Sequence, residues 1–503
     1  MRTELETARD RRSQEIAETL GRPFRMLIDG DLREASSGAV FETFDPYTRQ
    51  ALAKVPDAAP EDVDAAVAAA AKARLAWKTT HLADRVERVR ALADLVEAHA
   101  EELALLDVLD VGSTIGNARN DVKIAVNQMR MYAGLALELK GQTIPGGDAL
   151  HLTVREPVGV VAKVFPFNHP LMFACRVAAP LVAGNPCVIK PPELGPMSTL
   201  RLGELAREVF PRGVLNIVVG NGSAVPDRLV RHEDVRRIGF IGSESTGRAI
   251  QRAAAETGVK QVSLELGGKN AMLVFPDADL KEAARGAVAG MNFTWAGQSC
   301  GSTSRLLVHE SIHDDLLDEI AKVVADIRLG DPLEEDTTQG TMVSESAQRK
   351  TADFVQMALE EGASLVTGGS IPEGTQSFHF EPTVLSGVTP NARIGQQEVF
   401  GPVLSVLKFQ TESEAVEIAN GVRYGLTGAI WTNDLDRAFR VAGTLETGFI
   451  WINGSSAHFP NVPYGGVKAS GVGGKEESME ELFSYTEEKV INAMIRRKEQ
   501  SNV

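Results

Sequence analysis

The chain has 503 residues, is 43% hydrophobic and 24% charged, and carries a net charge of −16 with a pI near 5.2. At about 100–200 residues per domain, that length predicts two to four domains with ample core. The acidic balance repels phosphate backbones and excludes nucleic acid as a partner, and no apolar run reaches the roughly 18 residues that cross a bilayer.

The opening stretch, "MRTELETARDRRSQEIAETL", has no apolar core, so it is not a secretory signal. Its acids Glu4, Glu6, Asp10, Glu15 and Glu18 argue against a mitochondrial presequence, and residues 1–21 read as a solvated helical leader. From 60 to 137, apolar residues recur every three or four positions, in "EDVDAAVAAAAKARLAWKTT" and then "LADRVERVRALADLVEAHAEELALL", which predicts helices. "GQTIPGGDALHLTVREPVGVVAKVF" switches to β-branched alternation around a Pro-Gly-Gly turn, a hairpin at 140–157.

From 158, short apolar strands alternate with helices. The strand Val158–Val164 precedes the helix-like Leu171–Val182, and "PCVIK" precedes "STLRLGELAREVF". "VLNIVVG" leads to "SAVPDRLVRHE", "RRIGFIG" leads to "STGRAIQRAAAETG", and "QVSLEL" closes the series. Such alternation predicts a parallel sheet covered on both faces. A second alternation starts at "AMLVF" (271–275) and runs to "FIWIN", so the fold class is α/β with two three-layer domains and a boundary near 266–270. The tail "YTEEKVINAMI" returns to strand-like alternation that can pair with the 140–157 hairpin or with another subunit.

"HESIH" at 309–313 matches the H-E-x-x-H zinc signature, which needs both histidines one turn apart on one helix face, but "RLLV" makes His309 a strand end and Ser311 the cap of the next helix. The two rings then diverge, and no metal is expected. The sequons "NFT" and "NGS" carry no meaning in a cytosolic chain. Cys175, Cys187 and Cys300 are odd in number and widely spaced, which fits a reducing, cytoplasmic compartment. Cys175 and Cys187 lie in apolar runs and read as core.

Cys300 differs. In "TWAGQSCGSTSR" its neighbours are small or polar, which suits a reactive thiol that needs access, backbone N–H groups and a base. Glu265 ends the apolar strand "SLEL", where desolvation would raise its pKa toward general-base duty; it reads equally as an edge residue capping the next turn. Asn168, pinned between Pro166 and Pro170, can donate to an oxyanion or serve as a turn asparagine. Glu398 in "QQEVFGPV" reads as part of a structural turn. "GFIGSESTG" joins a strand to a helix, where Gly242 and Ser243 form either a phosphate cradle or a plain tight turn.

Together these stretches carry a resemblance. In order, "FPFNHP", "GNPCVIKPPE", "GFIGSESTG", "LELGGKN", "GQSCGSTSR", "EVFGPV", "YGLTG", "WIN" and "PYGGVKASG" are similar to the aldehyde dehydrogenase superfamily, from about residue 22 to 497. The resemblance implies a Rossmann-like NAD-binding domain at 22–138 and 158–266 and a catalytic domain at 267–478. It also implies an oligomerisation hairpin and C-terminal strand at 139–157 and 479–499, in a homodimer or homotetramer. The implied activity is oxidation of an aldehyde to the acid. Cys300 would be the nucleophile, passing through a thiohemiacetal and a thioester, with the oxyanion held by Asn168 and the Cys300 N–H. Glu265 would activate the hydrolytic water.

For the cofactor, the resemblance implies that Lys190 and Glu193 hold the adenosine ribose and that Ser243, beside Gly242, meets the pyrophosphate. Glu398 would grip the nicotinamide ribose, with Phe400 packing near the ring. Phe165, Pro166, Phe167, Gly222, Phe240, Leu266 and Gly267 would complete the site. A carboxylate at Glu193 suits a free 2′-hydroxyl, which favours NAD, with NADP possible. His169, Arg176, Trp295, Ser299, His458 and Tyr464 would line the substrate approach. That set is polar, so the aldehyde is expected to carry a polar or anionic group with Arg176 as its partner; a salt-bridged arginine is the other reading.

The sequence departs from the family pattern at Phe167, His169 and Pro192, at "GVGGKE" (471–476), and at Val177, where many members have lysine. Two rivals remain: a CoA-acylating relative, against which Glu265 argues, and a catalytically silent binding or structural member, against which the intact Cys300, Glu265 and Asn168 argue.

Overall fold

A computed structural model describes residues 7–495; the first six residues of the leader and residues 496–499 of the expected C-terminal strand lie outside the described residues. Five parallel neighbours form the middle of an eight-stranded sheet: Leu215–Ile217, Cys187–Lys190, Val160–Val164, Val235–Gly242 and Gln261–Leu266. Val160–Val164 and Cys187–Lys190 are buried throughout, as expected of strands covered on both faces. Antiparallel edges close the sheet on each side, Met26–Ile28 with Asp31–Arg33 on one and Gly471–Val472 on the other.

A seven-stranded sheet lies in the second half. Its order is Ser364–Thr367, Thr383–Ser386, Val403–Phe409, Arg305–His309, Ala271–Val274, Thr427–Trp431 and Phe449–Ile452, parallel except at the first pair. The third sheet joins the C-terminal strand Thr486–Met494 to Ala149–Pro157 over nine residue pairs, with Thr143–Pro145 beyond. The predicted helices between 60 and 137 form as Pro60–Thr79, Leu82–Ala98, Ala100–Val111 and Ile115–Leu135. Pro60 sits in the first turn, where its missing N–H costs nothing.

The structure corrects several expectations. The leader is helical but not solvated all round: Ala8 is buried, and Arg9 pairs with both Asp45 and Asp331. The helix expected over Leu171–Val182 is broken into Pro170–Ala174, a 3₁₀ turn at Cys175–Val177 and Ala178–Val182. Pro180 cannot donate to the ladder, which favours the interruption. Ser311 does not cap a helix; a 3₁₀ turn covers Glu310–Ile312, and the His309 ring accepts from the Ser311 N–H. His313 turns instead to Asp314 and Ser386, so the two rings do share nothing. Gly471–Val472, expected with the second half, pairs with Leu264 and Glu265 of the first sheet. This crossing carries the residues after 471 alongside the strand that holds Glu265.

Candidate active site

Cys300 lies on a tightly tethered loop rather than a loose one. The Asn270 side chain donates to the carbonyls of Cys300 (2.8 Å) and Ser302 (2.9 Å), and the Thr427 hydroxyl donates to the carbonyl of Gly301 (3.1 Å). Asn292, Ala296 and Gly297 all take left-handed backbone angles just before it. A side chain at position 297 would collide with the carbonyl of Gly401, so glycine is required there. Sequence reasoning missed Asn270 and Thr427; the asparagine that follows "LGGK" gave no signal that it reaches across to the loop.

Cys300 borders a cavity of about 490 Å³ together with Glu265, His169, Arg176, Trp295, Ser299, His458 and Tyr464. Its Sγ is 4.0 Å from the Tyr464 hydroxyl. Burial, followed by the nearby Glu265 and Glu398 carboxylates, pushes the thiol up to about 12. The free protein therefore holds Cys300 as a thiol at neutral pH, and reaction requires a proton acceptor. Glu265 borders the same cavity and is the candidate. One of its oxygens accepts weakly from the Gly466 N–H (3.3 Å), and the other is buried without a partner. Burial first, then the Glu476 charge, raises the Glu265 carboxyl well above its usual range.

Asn168 is buried and borders a separate small void with Trp295 and Gln298; Trp295 lines both spaces. The structure thus gathers Cys300 and Glu265 in one cavity and sets Asn168 beside it.

Arg176 requires a correction. Its guanidinium is fully buried and pairs with both Glu476 and Glu477. Its charge is already matched, so it does not serve as the partner of an anionic substrate. Burial works to raise the Glu477 carboxyl, yet Arg176 and His458 outweigh it and hold it down to about 2. Local sequence could not show this, because the two acids lie 300 and 301 residues away.

A second cavity, of about 640 Å³, opens at the C-terminal ends of the parallel strands Val160–Val164, Cys187–Lys190 and Val235–Gly242. Phe165, Pro166 and Phe167 border it after the first strand, Lys190 and Glu193 after the second, and Phe240, Gly242 and Ser243 along the third, with Gly222 nearby. Ser243 caps the helix Glu244–Thr257, whose N-terminal partial charge suits a phosphate. The Lys190 ammonium donates to Glu193 at 2.8 Å. Burial opposes ionisation of Glu193, but Lys190 prevails and its carboxyl sits below the usual value.

Three of the remaining predicted residues cluster between the cavities. Glu398 accepts from the Gly268 N–H (3.1 Å) and lies so close to Gly267 that any side chain there would strike it. Burial raises Glu398 to about 7. Phe400 meets Phe167 edge-on, with ring centroids 6.0 Å apart. Leu266 departs from the expectation: its side chain packs against Gly247, beneath the helix, rather than lining the cavity. Both cavities suit a dinucleotide and a carbonyl compound meeting near Cys300, since they gather a helix N-terminus, a lysine and the Glu193 and Glu398 carboxylates. Among the described residues, no cluster of three or more His, Cys, Asp or Glu forms a metal site.

Residues 32–491 match the profile of the Aldehyde dehydrogenase family. The chain is 45% identical to "Aldehyde dehydrogenase tropH" of Talaromyces stipitatus over 95% of its own length and 94% of the relative's. It is 39% identical to the betaine aldehyde dehydrogenase of Bacillus subtilis over 93% of its length and 96% of that protein. Among solved structures, the NAD⁺ complex of an aldehyde dehydrogenase from Bacillus cereus superposes with a TM-score of 0.93 at 37% identity, covering 96% of this chain and 99% of the other.

Proposed function

The chain belongs to the aldehyde dehydrogenase family and oxidises an aldehyde to the carboxylic acid with NAD(P); we propose that Cys300, Glu265 and Asn168 carry that chemistry. The observation that supports this most is the shared cavity of Cys300 and Glu265, with a carboxylate oxygen left unpartnered beside the thiol. Glu265 takes the thiol proton, directly or through a water. The sulfur then bonds to the aldehyde carbon, and the carbonyl oxygen becomes an anion that the Asn168 amide and the Cys300 N–H hold. Glu398 and Phe400 would hold a nicotinamide, which would supply the acceptor for the hydride of that carbon and so leave a thioester on Cys300. Glu265 releases its first proton to bulk water and then removes one from a second water; that water's oxygen bonds to the thioester carbon, the carbon–sulfur bond breaks to return the thiolate, and the acid departs.

Lys190 and Glu193 would hold the adenosine ribose, the Ser243 helix end the pyrophosphate, and Glu398 the nicotinamide ribose, with Phe400 and Phe167 walling the site. Glu193 repels a 2′-phosphate, so NAD is the preferred cofactor. We place the cofactor-binding unit at 22–138 and 158–266, extended by 471–472, and the thiol-bearing unit at 267–478. A CoA-acylating reaction has no use for a base poised beside the thioester, and Glu265 stands against it. Steady-state assays across aliphatic and aromatic aldehydes check this. Aldehyde-dependent reduction of NAD⁺, about tenfold or more better than of NADP⁺ and with one acid formed per NADH without added CoA, is expected. A strict requirement for CoA, or no reduction at all, contradicts it.

The same reading makes the protein a homo-oligomer. The strand Thr486–Met494 is an edge with Val490, Ile491 and Met494 exposed, and Ile144 is exposed in the same sheet. Unpaired edges of this kind invite a second chain. Light scattering is expected to give a dimer or tetramer mass, and a monomer would contradict this. No helix among the described residues is long and apolar enough to cross a membrane. Three free cysteines support a reducing, cytoplasmic setting.

A further inference from the structure

Resting on the reading of the Cys300 cavity as the substrate site, we propose that the substrate is an aromatic aldehyde bearing a hydroxyl group, which His169 binds through its Nε2 atom. His169 Nδ1 lies 2.7 Å from Asp121 Oδ2, and both side chains are largely buried. A carboxylate can only accept, so in the neutral ring the proton sits on Nδ1 and Nε2 carries the lone pair. Nε2 makes no hydrogen bond to any described residue, and the ring lines the same cavity as the thiol.

His458 repeats the arrangement beside Tyr464. Its Nδ1 is 3.0 Å from Glu477, and its ring packs 4.5 Å from that of Tyr464, whose hydroxyl faces Cys300. The cavity therefore presents two imidazoles whose tautomers are set by carboxylates behind them. What such atoms lack is a hydrogen-bond donor.

The carboxylates around His169 are already partnered, Asp121 by His169 and Glu476 and Glu477 by Arg176; Glu265 alone keeps an unpartnered oxygen, and the proposed chemistry uses it as the base. A hydroxyl supplies one O–H to Nε2 without bringing a charge into a buried space. The walls favour a flat ring beneath it. His169 is flanked by Phe173 edge-on at 5.4 Å and by Trp295 at 5.5 Å, and Met131 and Met172 add soft apolar surface. A histidine with its own buried acid is the feature of this cavity that the shared chemistry leaves unused.

The test compares kcat/KM for benzaldehyde, its 3- and 4-hydroxy derivatives and the matching fluoro derivatives, which are similar in size but donate nothing, with 3-aminopropanal as the cationic arm. The better hydroxylated substrate is expected to exceed its fluoro counterpart by about tenfold, chiefly through KM. His169→Phe is expected to bring that ratio close to one. The ratio compares two substrates on one protein, so a general loss of stability or cofactor affinity cancels. If the variant does not fold, the hydroxy-to-fluoro ratio of the unaltered protein decides. Equal values in the unaltered protein, a ratio that survives His169→Phe, or a preference for the aminoaldehyde overturns the proposal. Oxidation of every aldehyde without discrimination removes this inference alone, whereas oxidation of none removes the active-site reading with it.

Discussion

Cys300→Ser is expected to lower kcat by at least about 10⁴-fold while leaving cofactor binding within a few-fold. The reason is chemical rather than steric. Serine differs by one atom and fits the tethered loop, whose contacts run through the backbone carbonyls of Cys300, Gly301 and Ser302. Its hydroxyl, however, is far less acidic than a thiol, and Glu265 gains little by taking its proton. The oxygen ester that would follow is also a poorer partner for the oxidation than a thioester. Tryptophan fluorescence quenching by NAD⁺, measured on the same preparations, separates loss of chemistry from loss of the second cavity. Retention of more than a tenth of the activity would show that another nucleophile or none is used.

Glu265→Gln is expected to reduce steady-state turnover by about 10²–10⁴-fold, the range for removal of a general base. The effect should fall on both half-reactions and most heavily on the later one. A first release of about one NADH per active site, slowed because the thiol must then lose its proton to bulk water, and followed by near-arrest, is the expected course, because the amide cannot take a proton from the attacking water. The pH profile adds an independent check. A base works in its ionised form, and burial with the Glu476 charge raises Glu265 above the ordinary carboxylate range. The ionised fraction therefore falls as pH falls, and the acid limb of kcat should lie at higher pH than an ordinary glutamate would place it. In Glu265→Gln that limb should disappear. An unchanged profile would assign the base elsewhere.

What could be read from the sequence depended on how local the cause was. The helices from Pro60 to Leu135 follow from periodicity over ten or more residues, and the parallel strands of the first sheet from apolar runs alternating with helices; both form where expected. Cys300 stood out because glycine and serine around a cysteine are unusual, and Glu265 because a charge ended an apolar strand. The short edge strands Met26–Ile28 and Asp31–Arg33 were invisible, since three residues cannot display a period. The helix Glu345–Glu360 was passed over, as its first turns are polar and dilute the apolar stripe.

The largest revision, Arg176, shows the limit most clearly. An arginine in an apolar run looks like a binding group until Glu476 and Glu477 arrive from the far end of the chain. Those acids reach it because Gly471–Val472 joins the first sheet, and two glycine-flanked residues carry almost no strand signal of their own. The same crossing brings Glu476 close enough to shift Glu265.

The account rests on an acyl group carried by one sulfur. Glu265→Gln mixed with aldehyde and NAD⁺, quenched in acid and digested for mass spectrometry, is the most direct test. The prediction is a mass increase equal to the acyl group on the peptide containing Cys300, absent when NAD⁺ is omitted and removed by hydroxylamine. An acylated residue elsewhere, or an unmodified Cys300 peptide after a full burst of NADH, would contradict it.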